Sequence, residues 1–357
     1  MTEEREELRR TVRAVLGRAP APRPAPDAPA PYDEAAWRLL AGQVGAFGLA
    51  VPEEHGGAGA TLAEALVVCE ELGRALTPLP YLGSAVLATQ ALLACGVTEW
   101  LPTLADGALV GALAWAEGGS WDPAAVRCRA EGGRLTGVKE HVLDGEAAGL
   151  LVVPARTDGG DLAVYAVEPA APGVRVEPLA PLDRTRPQAR VRLDGAPARL
   201  LSADGERVLG RLLAVAAAAL AAEQVGGARR CLEMTLTHVT NRRQFGRPIG
   251  SFQAVKHRLA DLYVLVESAG SLGDDAARAL AEEAPGLEVR AAAAQAYCSE
   301  AYRAAAAETV QLHGGIGFTW EHEAHLHLKR AHAAAELFGD AAWHRARLAP
   351  MVLGLTK

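Results

Sequence analysis

The sequence predicts an α+β chain built as a helical N-terminal region, a central antiparallel β-domain and a C-terminal helical bundle. Three observations carry this. Apolar residues recur at helical spacing before about residue 110, short β-type runs fill the stretch to about 205, and helical spacing then holds to the end. The boundaries are set at 1–110, 111–205 and 206–357. The order alone fits a three-domain enzyme or two helical bundles flanking a barrel.

Residues 3 to 16 carry helical patterning, and a Pro/Ala tract over 19–31 follows it. Proline lacks the amide donor and fixes φ, so this tract reads as extended linker. Helix resumes at Asp33 with Trp37, Leu40 and Val44 on one face, then again over 61–75 and from about 82 to 95. The loop from Pro52 to Gly59 separates the first two of these. In the middle, Leu150-Leu151-Val152-Val153 and Leu162-Ala163-Val164-Tyr165-Ala166-Val167 are strand-length apolar runs between Gly, Pro and Asp clusters, as an antiparallel sandwich or barrel requires. Past 203, Phe252, Val255, Leu259, Leu262 and Val266 repeat at intervals of 3 and 4, the seam of a long bundle helix.

Composition narrows the function classes. With 357 residues the chain has room for a large core. A formal net charge of -7 argues against a nucleic-acid partner, which needs a basic face. The five cysteines are dispersed with no CxxC pair, which reads as free thiols in a reducing compartment. The longest uninterrupted apolar run, Leu212 to Ala222, is far shorter than a membrane span, and the charged N-terminus has no signal-peptide core. The expected location is cytoplasmic, with no membrane insertion.

Two segments carry chemistry. Asn241-Arg242-Arg243-Gln244-Phe245-Gly246 leads to Phe252-Gln253, with Gln253 seven residues past the glycine. Gln311-Leu312-His313-Gly314-Gly315-Ile316-Gly317-Phe318 places glycines after a helix. A nucleotide-triphosphate loop is excluded for the second, because no Gly-Lys-Ser/Thr follows and no strand precedes. Glu321-His322-Glu323-Ala324-His325-Leu326-His327 invites a metal reading that fails. His322 and His325 are three residues apart, and His325 and His327 stand about 200° apart on a helix. These histidines read as structural surface residues.

Together the two segments resemble the flavin-binding signatures of the acyl-CoA dehydrogenase family, and Phe47-Gly48-Leu49-Ala50-Val51-Pro52 is similar to its first-domain loop. The resemblance covers nearly the whole chain. It implies the family fold, with a C-terminal four-helix bundle that mediates tetramerisation. It also implies FAD as cofactor, an acyl-CoA thioester as substrate and an electron-transfer flavoprotein as electron acceptor. On this resemblance Arg242 would reach the FAD pyrophosphate of a neighbouring subunit, with Arg243 and Gln244 beside it. Phe252 and Gln253 would lie near the adenosine half, and Gln311, Gly314 and Gly315 would approach the diphosphate.

The family mechanism also needs a carboxylate to take the acyl α-proton. Its usual seat, twenty-four residues after Gly314, is Phe338; the seat used by a minority, twenty-nine residues before Phe245, is Ala216. Neither is acidic, which leaves Glu336, Asp340 and the more distant Glu223 as substitutes. The ring-contacting segments depart as well. Where the family has Gly-x-Lys-x-Trp-Ile-Thr-Asn-Gly, this chain has Gly137-Val138-Lys139-Glu140-His141-Val142-Leu143-Asp144-Gly145, and its Thr-Glu-Pro-Gly loop is Ala116-Glu117-Gly118-Gly119. Some bacterial members form α2β2 tetramers in which one subunit type carries the base. The expectation is therefore α,β-desaturation of an acyl-CoA in an assembly whose other subunit supplies that base. A homotetramer with an unusual acid and a flavin-free scaffold subunit are the alternatives.

Overall fold

A computed structural model describes residues 3–18 and 32–354, so the Pro/Ala tract lies outside the described residues. The first helices are α1 (Glu3–Leu16), α2 (Glu34–Leu39), α3 (Leu62–Ala75), α4 (Thr89–Ala94) and α5 (Leu101–Ala105). The strands are β1 (Gly111–Leu113), β2 (Arg129–Glu131), β3 (Arg134–Leu143), β4 (Leu150–Arg156), β5 (Leu162–Val167), β6 (Val174–Pro178), β7 (Gln188–Pro197) and β8 (Arg199–Ser202). Then come α6 (Gly205–Asn241), a hairpin of β9 (Arg243–Gln244) and β10 (Arg247–Pro248), and α7 (Gln253–Ala281). The chain continues with α8 (Leu287–His313), α9 (Ala324–Ala334) and α10 (Ala341–Val352). The residues group into two compact units, one within Met1–Val68 and Thr77–Ala216, the other within Cys69–Leu76 and Ala217–Lys357.

In the first unit, Asp33 caps α2 by accepting from the amides of Ala35 and Ala36. The chain then widens into a π-helical turn, Leu40–Val44, stopped by left-handed Gly45. That widening rotates Val44 off the buried face of Trp37 and Leu40, so it is only half-buried. The helix expected from 82 likewise opens as a π-helix, Tyr81–Ala88, before tightening into α4. Thr89 Oγ1 donates to the Ser84 carbonyl at 3.0 Å across the wide turn.

The strands form one eight-stranded sheet of order β6-β7-β3-β2-β4-β5-β8, with β1 also on β4. Most pairings are antiparallel, but β1 and β2 both run parallel to β4. The sheet is therefore mixed, not the purely antiparallel one expected. Every residue of β5 and the first six of β4 are buried, which is why these strands read as unbroken apolar runs. Leu135, Val142, Leu151, Val153, Val191 and Leu193 pack the sheet's core.

In the second unit, the small residues of α6 let helices approach closely. A Cβ on Gly226 would lie 1.8 Å from the Glu70 carbonyl oxygen, and one on Gly73 would lie 2.0 Å from that of Glu223. Ion pairs Glu70–Arg229 and Arg74–Glu233 flank this crossing. Leu232, Leu262, Val266, Tyr302 and Ala331 fill the core between α6, α7, α8 and α9. By length and apolarity α6 passes the test for a membrane span, but 89% of its apolar window is buried inside the protein, as in a core helix. None of the five cysteines is in a disulfide among the described residues.

Candidate functional site

The Arg-Arg-Gln-Phe-Gly segment folds as a two-residue hairpin directly after α6. Arg243 pairs with Pro248 and Gln244 with Arg247, leaving Phe245 and Gly246 at the tip with φ of 52° and 78°. Positive φ at both central positions is what a hairpin twisted with its strands requires, and only the glycine adopts it without strain. Phe245 accepts that strain while leaving its ring 90% exposed, the mark of a residue placed for a contact outside its own core. Arg247 lies over the Phe252 ring at 4.1 Å, which fixes the start of α7; Gln253 opens that helix, exposed. Arg242, Arg243 and Gln244 are exposed, and among the described residues the two guanidinium groups have no ion-pair partner.

α8 ends at Gly314, whose φ of 64° and ψ of -141° suit only glycine. Gln311, Gly314 and Gly315 are exposed, and a Cβ on either glycine would meet nothing within 4 Å. The backbone here is open to close approach. Two unpaired guanidinium groups and an open glycine turn are the donor set that a pyrophosphate needs, so these residues fit the nucleotide end of FAD.

The helix preceding the first segment and the helix preceding the second share a pocket of about 610 Å³. Arg230, His238, Asn241, Arg242, His313 and His322 are among its lining. The three imidazoles form a column, with the His313 ring 4.3 Å from that of His238 on one side and 4.3 Å from that of His322 on the other. His313 Nδ1 donates to the Thr309 carbonyl at 2.7 Å, while His322 Nδ1 accepts from the Ala324 amide at 3.1 Å. Burial holds His313 at about 4, well below the usual histidine range, and also lowers His238 and His322. The sequence reading passed over His238 and Arg230. The available signal was that His238 stands one helical turn before Arg242, on the same face.

The base seats are closed. Phe338 is 1% exposed on a left-handed backbone (φ 56°) and Ala216 is fully buried within α6. Glu336 is exposed, and Asp340 is spent as the N-cap of α10, accepting from the Trp343 amide at 2.7 Å. Glu223 is buried in an ion pair with Arg330 at 2.6 Å. His344, fully buried in α10, is pushed down to about 4 by burial.

The segment expected to face the flavin ring is tied up internally. Lys139 is completely buried, and its ammonium donates to Glu117 Oε1 (2.5 Å), the Pro154 carbonyl (2.7 Å) and the Trp115 carbonyl (3.4 Å). Glu117 in turn accepts from the amides of Arg127 and Cys128. The pair ties the Glu117 turn to β3 and β4 from within the protein. Leu143 points into the protein, 4% exposed. His141 sits at a register shift in β3 with φ of 52°, its Nδ1 2.9 Å from Gln188 Oε1.

The other histidines correct an expectation. His325 and His327 are buried, not on the surface, because α9 is enclosed on most sides at its start. His327 Nδ1 meets the Tyr302 hydroxyl at 2.8 Å, and the His325 ring packs edge-on against Trp320.

Residues 203–353 match the acyl-CoA dehydrogenase C-terminal domain, and residues 2–108 match the acyl-CoA dehydrogenase N-terminal domain. The chain is 42% identical over 342 residues to the acyl-CoA dehydrogenase IpdE2 of Mycolicibacterium smegmatis, covering 95% of this chain and 96% of that protein. Among solved structures, a variant of the Tcur3481-Tcur3483 steroid ACAD superposes with TM-score 0.89 at 31% identity, covering 99% of this chain and 98% of that one. The ChsE4-ChsE5 complex of Mycobacterium tuberculosis gives TM-score 0.88 at 30% identity, covering 100% and 99%.

Proposed function

We propose, from the premise that this chain belongs to the acyl-CoA dehydrogenase family, that it is the base-lacking subunit of an oxidoreductase assembly desaturating an acyl-CoA thioester. It grips the nucleotide end of a shared FAD, and a homologous subunit supplies the carboxylate. The observation that carries this is a contrast within one chain. Arg242 is exposed with no ion-pair partner among the described residues and the Gly314-Gly315 turn is exposed with room for close approach, while the position where the resemblance puts the base is a buried phenyl ring.

When bound, FAD supplies the acceptor for the β-hydride. This chain's part is binding and orientation. Arg242, with Arg243 beside it, would neutralise the pyrophosphate; Gln311 and the exposed backbone at Gly314 and Gly315 would approach the diphosphate; Phe252 and Gln253 would border the adenosine half. Phe338 offers no proton acceptor, and Asp340 and Glu223 are engaged elsewhere. Two relatives support the assembly and the substrate class. One is a complex of ChsE4 with ChsE5, the other a steroid ACAD, so a bulky steroid-derived acyl group is the substrate we assign. Electrons pass to an electron-transfer flavoprotein, the assembly is a tetramer in the cytoplasm, and the three-part division at 110 and 205 stands as our reading of the chain.

Co-expression tests this. The chain purified alone is expected to be colourless and the chain purified with a homologous subunit yellow. A yellow chain alone would return the homotetramer, and a colourless pair would return the scaffold reading.

A further inference from the structure

The pocket beside Arg242 has a charge count that a phosphate group would upset. Besides its three imidazoles, it is lined by two arginines, Arg230 and Arg242, and two glutamates, Glu321 and Glu323. With neutral rings its formal charge is zero. Glu323 already engages Arg230 at 3.2 Å, so Arg242 alone among these cations is unpaired. A doubly charged pyrophosphate docked on Arg242 therefore brings a net negative charge against three stacked rings, of which His238 and His313 keep a ring nitrogen able to accept a proton.

We propose that the His238–His313–His322 column is a proton-linked cradle for the diphosphate of the shared flavin, taking up protons as the cofactor docks. This rests on the function proposed above. The hydrogen bonds assign the atoms. His313 Nδ1 already gives its proton to Thr309, so the incoming proton goes to Nε2; His238, half-buried at the other side of the same stack, makes no ring hydrogen bond among the described residues. His322 spends Nδ1 on the Ala324 amide and so presents Nε2–H as a ready donor. The groups facing the column are Arg230 and Arg242 from α6, Glu321 and Glu323 from the turn before α9, and His325 on α9. Without ligand, burial and the neighbouring cations keep the rings neutral near pH 7. An added anion reverses that balance, since opposite charge within a few ångströms favours the charged form.

The sign follows from linkage. A ligand that raises the pKa of its site binds more tightly as pH falls, by up to tenfold per pH unit for each proton taken up. The experiment is FAD rebinding to the flavin-stripped assembly, followed by calorimetry in two buffers of different ionisation enthalpy and by fluorescence quenching from pH 8 to pH 6. The expected result is uptake of about half a proton or more per FAD and an affinity roughly tenfold higher at pH 6 than at pH 8. His238→Phe and His313→Gln should each flatten that slope. Binding of FAD with no proton uptake, or an unchanged slope in both variants, overturns the cradle while leaving the proposed function intact. Failure to bind FAD at any pH overturns both.

Discussion

The two halves of the flavin machinery proposed for this chain have opposite characters. At the nucleotide end, the assigned residues are exposed. Arg242 and Arg243 lack ion partners among the described residues, and the Gly314-Gly315 turn stands open. At the positions that the resemblance assigns to the flavin ring and the base, Phe338 is sealed, Leu143 is turned inward and Glu117 is locked to Lys139. Folding satisfies what it buries, whereas the exposed arginines on the strained hairpin are left to water and to whatever binds there. On the function proposed above, a family resemblance spread over the whole chain separates into a binding half and a structural remnant.

Four substitutions would break or sharpen that contrast. The largest effect is expected for Lys139→Met, which strands Glu117 in the sheet and should cost about 3–5 kcal/mol of stability, measured by denaturant unfolding; a neutral result would free Glu117 for another role. Next, Arg242→Ala should leave the fold unchanged but weaken FAD binding to the assembly by roughly thirty- to a hundredfold, the loss of about 2–3 kcal/mol of charge-assisted hydrogen bonding. Phe338→Glu places a carboxylate in the core and should lower the melting temperature by several degrees, about 1–3 kcal/mol. It should produce no desaturation by the chain alone, and a gain of activity would mean that the base seat is open.

The smallest effect is expected for Gly315→Ala. A Cβ there meets nothing in the chain, so stability should hold within about 0.5 kcal/mol, while flavin retention falls. A separate signature is pH-dependent stability. His313 and His344 stay neutral down to about 4 in the folded chain, whereas unfolded histidine protonates near 6.5. The unfolded state therefore binds more protons between those values, and stability should fall as pH drops from about 6.5 to 4. Melting temperatures across that range check this, and His344→Phe should remove part of the slope.

Much of this was legible in the chain itself. The glycines after α8 are a helix stop, and β4 and β5 stand out as apolar runs; the hairpin at 243–248 was not read from its residues. The π-helical turns at 40–44 and 81–88 were not, because their widening depends on packing and on the Thr89–Ser84 hydrogen bond. Nor was the histidine column. His238, His313 and His322 lie on separate elements, and only the fold stacks them. The burial of His325 and His327 was missed for a related reason: helical spacing says which side chains share a face, but not how many faces of α9 are covered.

The most direct test is anaerobic titration of the assembled, flavin-loaded complex with a steroid-derived acyl-CoA after the homologous subunit's base carboxylate has been replaced by its amide. With every carboxylate of this chain left in place, flavin absorbance should stay unbleached. Bleaching at a rate near that of the unmodified complex would mean that this chain supplies the proton acceptor after all.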